Sequence, residues 1–499
     1  MAAKWTATIA VSVVSVFFVA SYRRRRKISA NEMSLACLTR HHPLDPILGM
    51  DFQIAIRGDI SLLHKFHERY GQSFKINPWI VEPSIFTIAP ENLKVMSSRD
   101  SDWGIQPARL PAMEHFCGRG FLTTDGLEWR AARQSIRPVF AKSNAVDIGV
   151  LRRELNNMCG QIPTDGSTVD LQPLLYVMFL NTSLYFLMGI CPDTESSQAP
   201  CSTKEFIEAF HSALFWTMVR IVLGGAWRLV PQGKYLRACR TAHSFIDHYI
   251  EQGLRESERG HEENINMEMK VSLIDYLAAS TNDVQFIRSQ TIQGMMASQE
   301  TTSALLGNTI FLLARHRRYW QQIREEALVL GEGNLTLDGL HDNRVFRNIL
   351  LESLRLYPIF PLMGRVALRD TTLPVGGGPD RGESVFVPKG TKIEACYYAL
   401  HRDPDVFGKD VEAFRPERWE SINPRPWEFM GFGGGSRACL GQQKSLTEAS
   451  FVLASLAIRF ETLESRDDRD WKSEMKLTCQ NANGCKIAFT GSPQQVVSE

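Results

Sequence analysis

No two of the ten cysteines stand at the CxxC spacing, and none belongs to a Cys/His cluster with zinc-finger spacing. A disulfide scaffold is thereby excluded, and scattered thiols of this kind fit a reducing compartment. No fixed-period repeat runs through the chain, which sets solenoids aside. Neither sign of charge is in excess: 56 Lys and Arg face 55 Asp and Glu. That balance conceals one local imbalance, because residues 1–27 hold six basic groups and no acidic one. The remainder, 50 basic against 55 acidic, is mildly acidic and offers no electrostatic footprint for nucleic acid, which is not expected as a partner. What the chain does have is apolar bulk. With 44% hydrophobic and 22% charged residues, 27 Phe and 10 Trp, its 499 residues can bury a large core, and disorder is excluded.

From Trp5 to Tyr22 no charge occurs, a stretch at the short end of what spans a bilayer. The run Arg23-Arg-Arg-Arg-Lys27 follows it directly, so the positive-inside rule leaves everything C-terminal to it on the cytosolic side. A cleaved secretory peptide needs its basic residues before the apolar stretch, which favours a retained anchor. The expected organisation is an anchor and basic stop at 1–27, a polar linker at 28–42, and one large domain at 43–499.

Most long segments read as helix. Between Asp283 and His316, apolar residues recur at Val284, Ile287, Ile292, Met295, Leu305, Leu306, Ile310 and Leu313, with Asp283 as the cap. Within this helix Ser298-Gln-Glu-Thr-Thr-Ser303 interrupts the apolar stripe with poor helix formers, a conflict that marks function more often than poor packing. Strand patterns are fewer: residues 75–90, 365–375 and 384–398. The fold class is mainly α with a small β portion.

Phe432-Gly-Gly-Gly-Ser-Arg-Ala-Cys439-Leu-Gly441 precedes an amphipathic pattern carried by Leu446, Ala449, Leu453, Leu456 and Phe460. A glycine-rich loop thus presents one cysteine at the start of a helix. The helix N-terminus and the charge of Arg437 both favour thiolate there. The glycines let backbone approach a large flat group, and a thiolate under such a group suits a heme iron. Phosphate binding is the first rival, but the third Gly of GxGxxG is missing and no Lys-Ser/Thr follows. A plain buried cysteine is the other.

The pattern FxxGxRxCxG, complete at Phe432, Gly435, Arg437, Cys439 and Gly441, resembles the heme-ligand motif of the cytochrome P450 family. Four further motifs resemble the family's in the expected order. Trp129-Arg-Ala-Ala-Arg133 is similar to its WxxxR, and Ala297-Ser-Gln-Glu300-Thr301-Thr302 to its oxygen-activation segment. Glu352 and Arg355 match its ExxR pair, and Arg418 in Phe-Arg-Pro-Glu-Arg-Trp419 matches the arginine that completes that network. Stretches such as His41-His-Pro-Leu-Asp45 and Gly376-Gly-Gly-Pro-Asp380 look most like the fungal alkane and fatty-acid hydroxylase branch.

The resemblance implies a cytochrome P450 fold and heme b with Cys439 as axial ligand. Trp129, Arg133, Arg365 and Arg437 are then expected at the heme propionates, and Phe432 and Gly435 at the heme-binding loop. Glu300 and Thr301 are expected to relay protons, with a Thr back-bonded to the preceding turn as the alternative. Ser298 stands where the family commonly has Gly, placing a side chain near the oxygen site. Lys444 replaces an expected apolar residue and reads as a surface lysine. Segments 103–122 and 206–232, rich in aromatic and aliphatic residues, imply a lipophilic substrate entering from the lipid bilayer.

The expected activity is therefore a membrane-anchored monooxygenase on the cytosolic face of the endoplasmic reticulum. It would act on a fatty acid, an alkane or a fungal secondary metabolite intermediate. No flavin or nicotinamide motif is visible, so electrons are expected from a separate NADPH-dependent reductase. The alternatives are a heme-thiolate isomerase or dehydratase that needs no O2, and a non-enzymatic heme-binding protein.

Overall fold

In the computed structural model the described residues run from 38 to 491, with short breaks at 42–43, 48, 79–82, 141–145, 192–197, 264–271, 337–338 and 341–342. The expected anchor, basic run and most of the linker lie outside the described residues. Ordered pairing begins at Thr39, inside the segment read as linker.

The long helix forms as its pattern requires, at Val284–Leu313, and Asp283 caps it by accepting from the Phe286 N–H at 2.9 Å. Its apolar residues Ile287, Ile292, Met295, Leu305, Leu306 and Ile310 are all buried. One neighbour is the helix Leu171–Met188, which is apolar on all sides, as a helix enclosed in a large core can be. Another is the helix Gln442–Arg459, joined to it by a hydrogen bond from Thr302 to the Ser445 hydroxyl at 3.1 Å. Leu171–Met188 and Thr203–Leu223 are long and apolar enough to cross a membrane by length and composition, but the first is mostly buried in the core.

The strands are β1 (Thr39–His41), β2 (Ser73–Ile76), β3 (Ser84–Thr87), β4 (Trp103–Gly104), β5 (Val169–Asp170), β6 (Leu362–Ala367), β7 (Thr371–Gly377), β8 (Glu383–Val387), β9 (Lys392–Cys396), β10 (Thr462–Ser465), β11 (Ser473–Met475), β12 (Cys479–Asn481) and β13 (Lys486–Thr490). The main sheet runs β1-β2-β3-β9-β6-β4, and β10-β13-β5 form a second, three-stranded one. The hairpins β7–β8 and β11–β12 stand apart. Gly376-Gly-Gly-Pro-Asp380 is the tip region of the β7–β8 hairpin, as its glycines suggest.

The helix Arg344–Leu356 carries a fully buried ionic network. Arg355 grips Glu352 with two bonds of 2.9 Å, and Arg418 donates to the same carboxylate at 2.8 Å. The Arg415 N–H at 2.9 Å and the Trp419 indole at 3.0 Å complete its shell. The remaining guanidinium hydrogens reach the carbonyls of His401, Val411 and Ala413 and, from Arg418, the Phe407 carbonyl and Asp410. An i,i+3 pair that would contribute little on a surface becomes, here, the tie between a core helix and the irregular segment 398–420. Replacing Glu352 by Gln removes the counter-charge of buried Arg355 and leaves buried Arg418 with only the more exposed Asp410 at 3.3 Å. Stability should fall by about 3–5 kcal/mol, read from the denaturant midpoint.

Candidate heme site

The cysteine loop is shaped by its glycines and held from outside. Gly433 and Gly435 have φ of 71° and 70°, and a methyl group on Gly435 would come within 2.5 Å of the Ser97 carbonyl oxygen. The Cys439 N–H donates to the Phe432 carbonyl at 2.9 Å, closing the loop, while Phe432 itself packs against the main core. At the loop's entry the Met430 N–H donates to His401 Nε2 at 2.9 Å. Burial, reinforced by Arg355 and Arg402, holds that imidazole's pKa down at about 3, so it stays neutral and able to accept. His401 thus links the ionic network to the cysteine loop.

The Cys439 side chain is exposed although protein surrounds it densely enough to push its thiol pKa up by desolvation. A thiol on the wall of an interior cavity shows this combination. The Gly441 N–H and the Arg133 charge pull the other way. The cation acting on the thiol is therefore Arg133, not Arg437 as the loop sequence suggests. Arg133 donates to the Ala438 carbonyl at 2.6 Å. Arg437 instead ion-pairs with Asp125 at 2.7 Å and lies over the Trp129 ring, 4.2 Å from its centroid.

Arg437 belongs to a second group. With Arg365 on β6 and Arg109 on the helix Gln106–Cys117 it forms a cluster of three guanidiniums. Burial lowers all three pKa values, Arg109 and Arg437 to about 10, and each loses more to a neighbouring guanidinium or regains some from Asp125. Asp125 is already occupied: besides Arg437 it accepts the N–H groups of Ile105 at 3.0 Å and Gln106 at 2.8 Å. Among the described residues Arg109 reaches only the Leu122 carbonyl at 2.9 Å and the Met363 sulfur at 3.5 Å, and Arg365 the Gly364 carbonyl at 3.0 Å. Arg109 and Asp125 were missed in the sequence. Arg109 lay within the apolar segment 103–122, and Asp125 just ahead of Trp129.

The long helix passes with Ala297 exposed and Thr301 partly accessible amid buried neighbours. Thr301 donates to the Ala297 carbonyl at 2.8 Å, the back-bonded arrangement, which leaves its oxygen free to accept. Glu300 points elsewhere, accepting from the Thr478 hydroxyl at 3.3 Å. Burial raises its carboxyl pKa, with Thr478 and Lys476 opposing. The Ser298 hydroxyl is enclosed and has no hydrogen-bond partner among the described residues, so it is not presented to the accessible strip. Lys444 also departs from expectation: it is buried, ion-paired with buried Glu448, and its ammonium lies 4.9 Å from the Phe186 ring centroid. From the same long helix, Gln293 accepts from the Leu122 N–H at 2.7 Å and donates to the Cys117 carbonyl at 3.0 Å, fixing the segment that leads to Asp125.

The chain matches the family model described as cytochrome P450 over residues 41–487. It is 35% identical to cytochrome P450 monooxygenase FPY7 of Fusarium mangiferae, over 94% of this chain and 92% of that protein. To cytochrome P450 52E2 of Candida apicola it is 32% identical, over 80% of each. The heme domain of cytochrome P450DA shares its fold, with a TM-score of 0.73, 21% identity, and coverage of 91% of this chain and 98% of that one. The chain belongs to the cytochrome P450 family. It is a heme-thiolate monooxygenase, with a cysteine thiolate as the iron's axial ligand.

The residues present fit that cofactor. The Cys439 thiol is accessible yet lies in desolvating surroundings. Two guanidiniums, Arg109 and Arg365, have only neutral acceptors among the bonds described, and heme b brings two carboxylates. Gly435→Ala should lower the heme bound per polypeptide, read as Soret absorbance against protein, because the new methyl group meets backbone and the φ is positive.

Proposed function

We propose that Cys439 is the axial ligand and that the chain inserts one atom of O2 into a C–H bond of a lipophilic substrate, a fatty acid, an alkane or a secondary metabolite intermediate. The observation that carries this is the Cys439 thiol, accessible yet held in desolvating surroundings at the end of the glycine-rich loop. Arg109, Arg365 and Arg437 would hold the propionates as forked, permanently charged donors, with Trp129 stacked on Arg437. Arg133 would brace the loop through Ala438 and set the charge beside the thiolate. Phe432 and Gly435 give the loop its packing and its turn.

Once bound, the heme supplies the dioxygen activation, and the second oxygen atom leaves as water after taking up two protons. Thr301 would hold a water that donates to its free lone pairs, and Glu300 would pass protons inward. Burial keeps the Glu300 carboxyl pKa raised, so it holds a proton over a wider pH range than an exposed glutamate.

Electrons come, in this reading, from an NADPH-dependent reductase. The body sits on the cytosolic face of the endoplasmic reticulum membrane through the 1–27 anchor. Phe215, Val222 and Leu223, exposed on and after the third turn of the helix Thr203–Leu223, support contact with lipid and an apolar route inward. Reconstitution with reductase and lipophilic candidates tests the whole. Wild-type protein should give the thiolate-type Soret band with carbon monoxide and a product heavier by one oxygen. Cys439→Ala should lose that band. Thr301→Val should keep it while yielding severalfold less product per NADPH.

A further inference from the structure

Glu300 and Thr301 are neighbours in sequence, but consecutive residues on a helix point about 100° apart. Glu300 is therefore oriented by something other than Thr301. Its carboxylate accepts from Thr478, which lies in the turn of the β11–β12 hairpin and is itself buried. That turn is closed by the Lys476 N–H donating to the Thr478 carbonyl at 3.0 Å. It is fixed to the core by the Cys479 N–H donating to the Ile359 carbonyl at 2.8 Å. The hydroxyl is thus delivered from an anchored backbone. Beside it, the Lys476 ammonium pairs with Glu474 at 2.9 Å and adds its charge to the surroundings of Glu300. From the helix Leu171–Met188, Tyr176 lies within the electrostatic reach of Glu300, and its hydroxyl is hydrogen-bonded to His211 of the helix Thr203–Leu223. Among the described residues, Tyr176, Lys476 and Thr478 are the groups that interact with the Glu300 carboxyl.

We propose that Thr478 is a positioning residue for proton delivery, holding the Glu300 carboxylate against the β11–β12 turn. Leu477 in the same turn packs against the apolar cluster that includes Phe206 and Phe210. The turn therefore joins the helix over the substrate region to the group that handles protons, and a substrate that shifts Leu477 shifts the donor on Glu300. This rests on the reading of Glu300 given above.

The test compares Thr478→Val, Thr478→Ser and Glu300→Gln in the heme-loaded protein. The carbonyl stretch of protonated Glu300, assigned by its loss in Glu300→Gln, is followed by infrared difference spectroscopy across pH. The Thr478 hydroxyl favours the charged carboxylate, so removing it leaves desolvation less opposed, and in Thr478→Val this band should titrate at higher pH. Product per NADPH should fall severalfold with the carbon monoxide spectrum unchanged, and Thr478→Ser should restore both. An unmoved titration in Thr478→Val, or a failure of Ser to restore it, overturns the positioning role. Unchanged product per NADPH in Glu300→Gln would instead overturn the role of Glu300 itself. Uncoupling by Glu300→Gln but not by Thr478→Val overturns only the part played by Thr478.

Discussion

A sulfur that ligates iron must satisfy two opposed conditions. It must be screened from bulk water, because hydration weakens its donation and invites oxidation, yet it must be reachable from a cavity. Dense surroundings alone work against the thiolate, and they raise the Cys439 pKa. The protein offsets this with a backbone N–H from Gly441 and one guanidinium, Arg133, rather than with a nearby lysine or a fully exposed helix end. With Cys439 as the proposed ligand, the iron would complete the deprotonation, since a coordinating thiol gives up its proton outright. The loop geometry, the positive φ at Gly435 and the anchoring of Met430 on His401 all serve to put that one sulfur where both conditions hold.

The same preference for enclosed, fully partnered charge recurs through the core. Glu352 takes bonds from two guanidiniums, an indole and a backbone N–H, so no lone pair of consequence is left unused. Lys444 and Glu448 repeat the device one helix away, on a helix whose first turn would ordinarily disfavour a cation. Buried pairs of this kind are weak evidence for stability, because apolar packing can do as well. What the Glu352 network supplies is direction, since it ties the helix Arg344–Leu356 to the segment that carries Arg415, Arg418 and Trp419, whereas the Lys444–Glu448 pair lies within one helix.

Much of this was legible in the chain because it follows from spacing. The capped helix from Asp283, the glycine-rich loop before an amphipathic helix, and the paired Glu352 and Arg355 are local patterns, and the structure forms each of them. What was not legible is which distant groups meet. Arg437 looks like the cation of Cys439 because it stands two positions before it, yet tertiary packing turns it to Asp125 and gives the thiol Arg133, 306 positions earlier in the chain. Lys444 looks like a surface residue because lysines mostly are, and only the presence of Glu448 one turn on hinted otherwise. Ser298 falls in the right segment, but its hydroxyl faces protein, a matter of helix rotation that sequence does not set to within one residue.

The guanidinium cluster carries the argument a step further, to the relation between cofactor and fold. Arg365 depresses the pKa values of Arg109 and Arg437, and Arg109 that of Arg437, in a desolvated setting where Asp125 is already shared among Arg437 and two backbone N–H groups. Like charges brought together in low dielectric oppose folding, and more so than at a surface. A dianionic ligand that binds only the folded state removes that opposition and adds its own binding free energy to stability. The excess of positive charge is therefore a cost in the polypeptide alone and a gain in the holoprotein. On the proposed reading, one ligand drawing on all three arginines would fasten a helix, a sheet strand and the cysteine loop to one another.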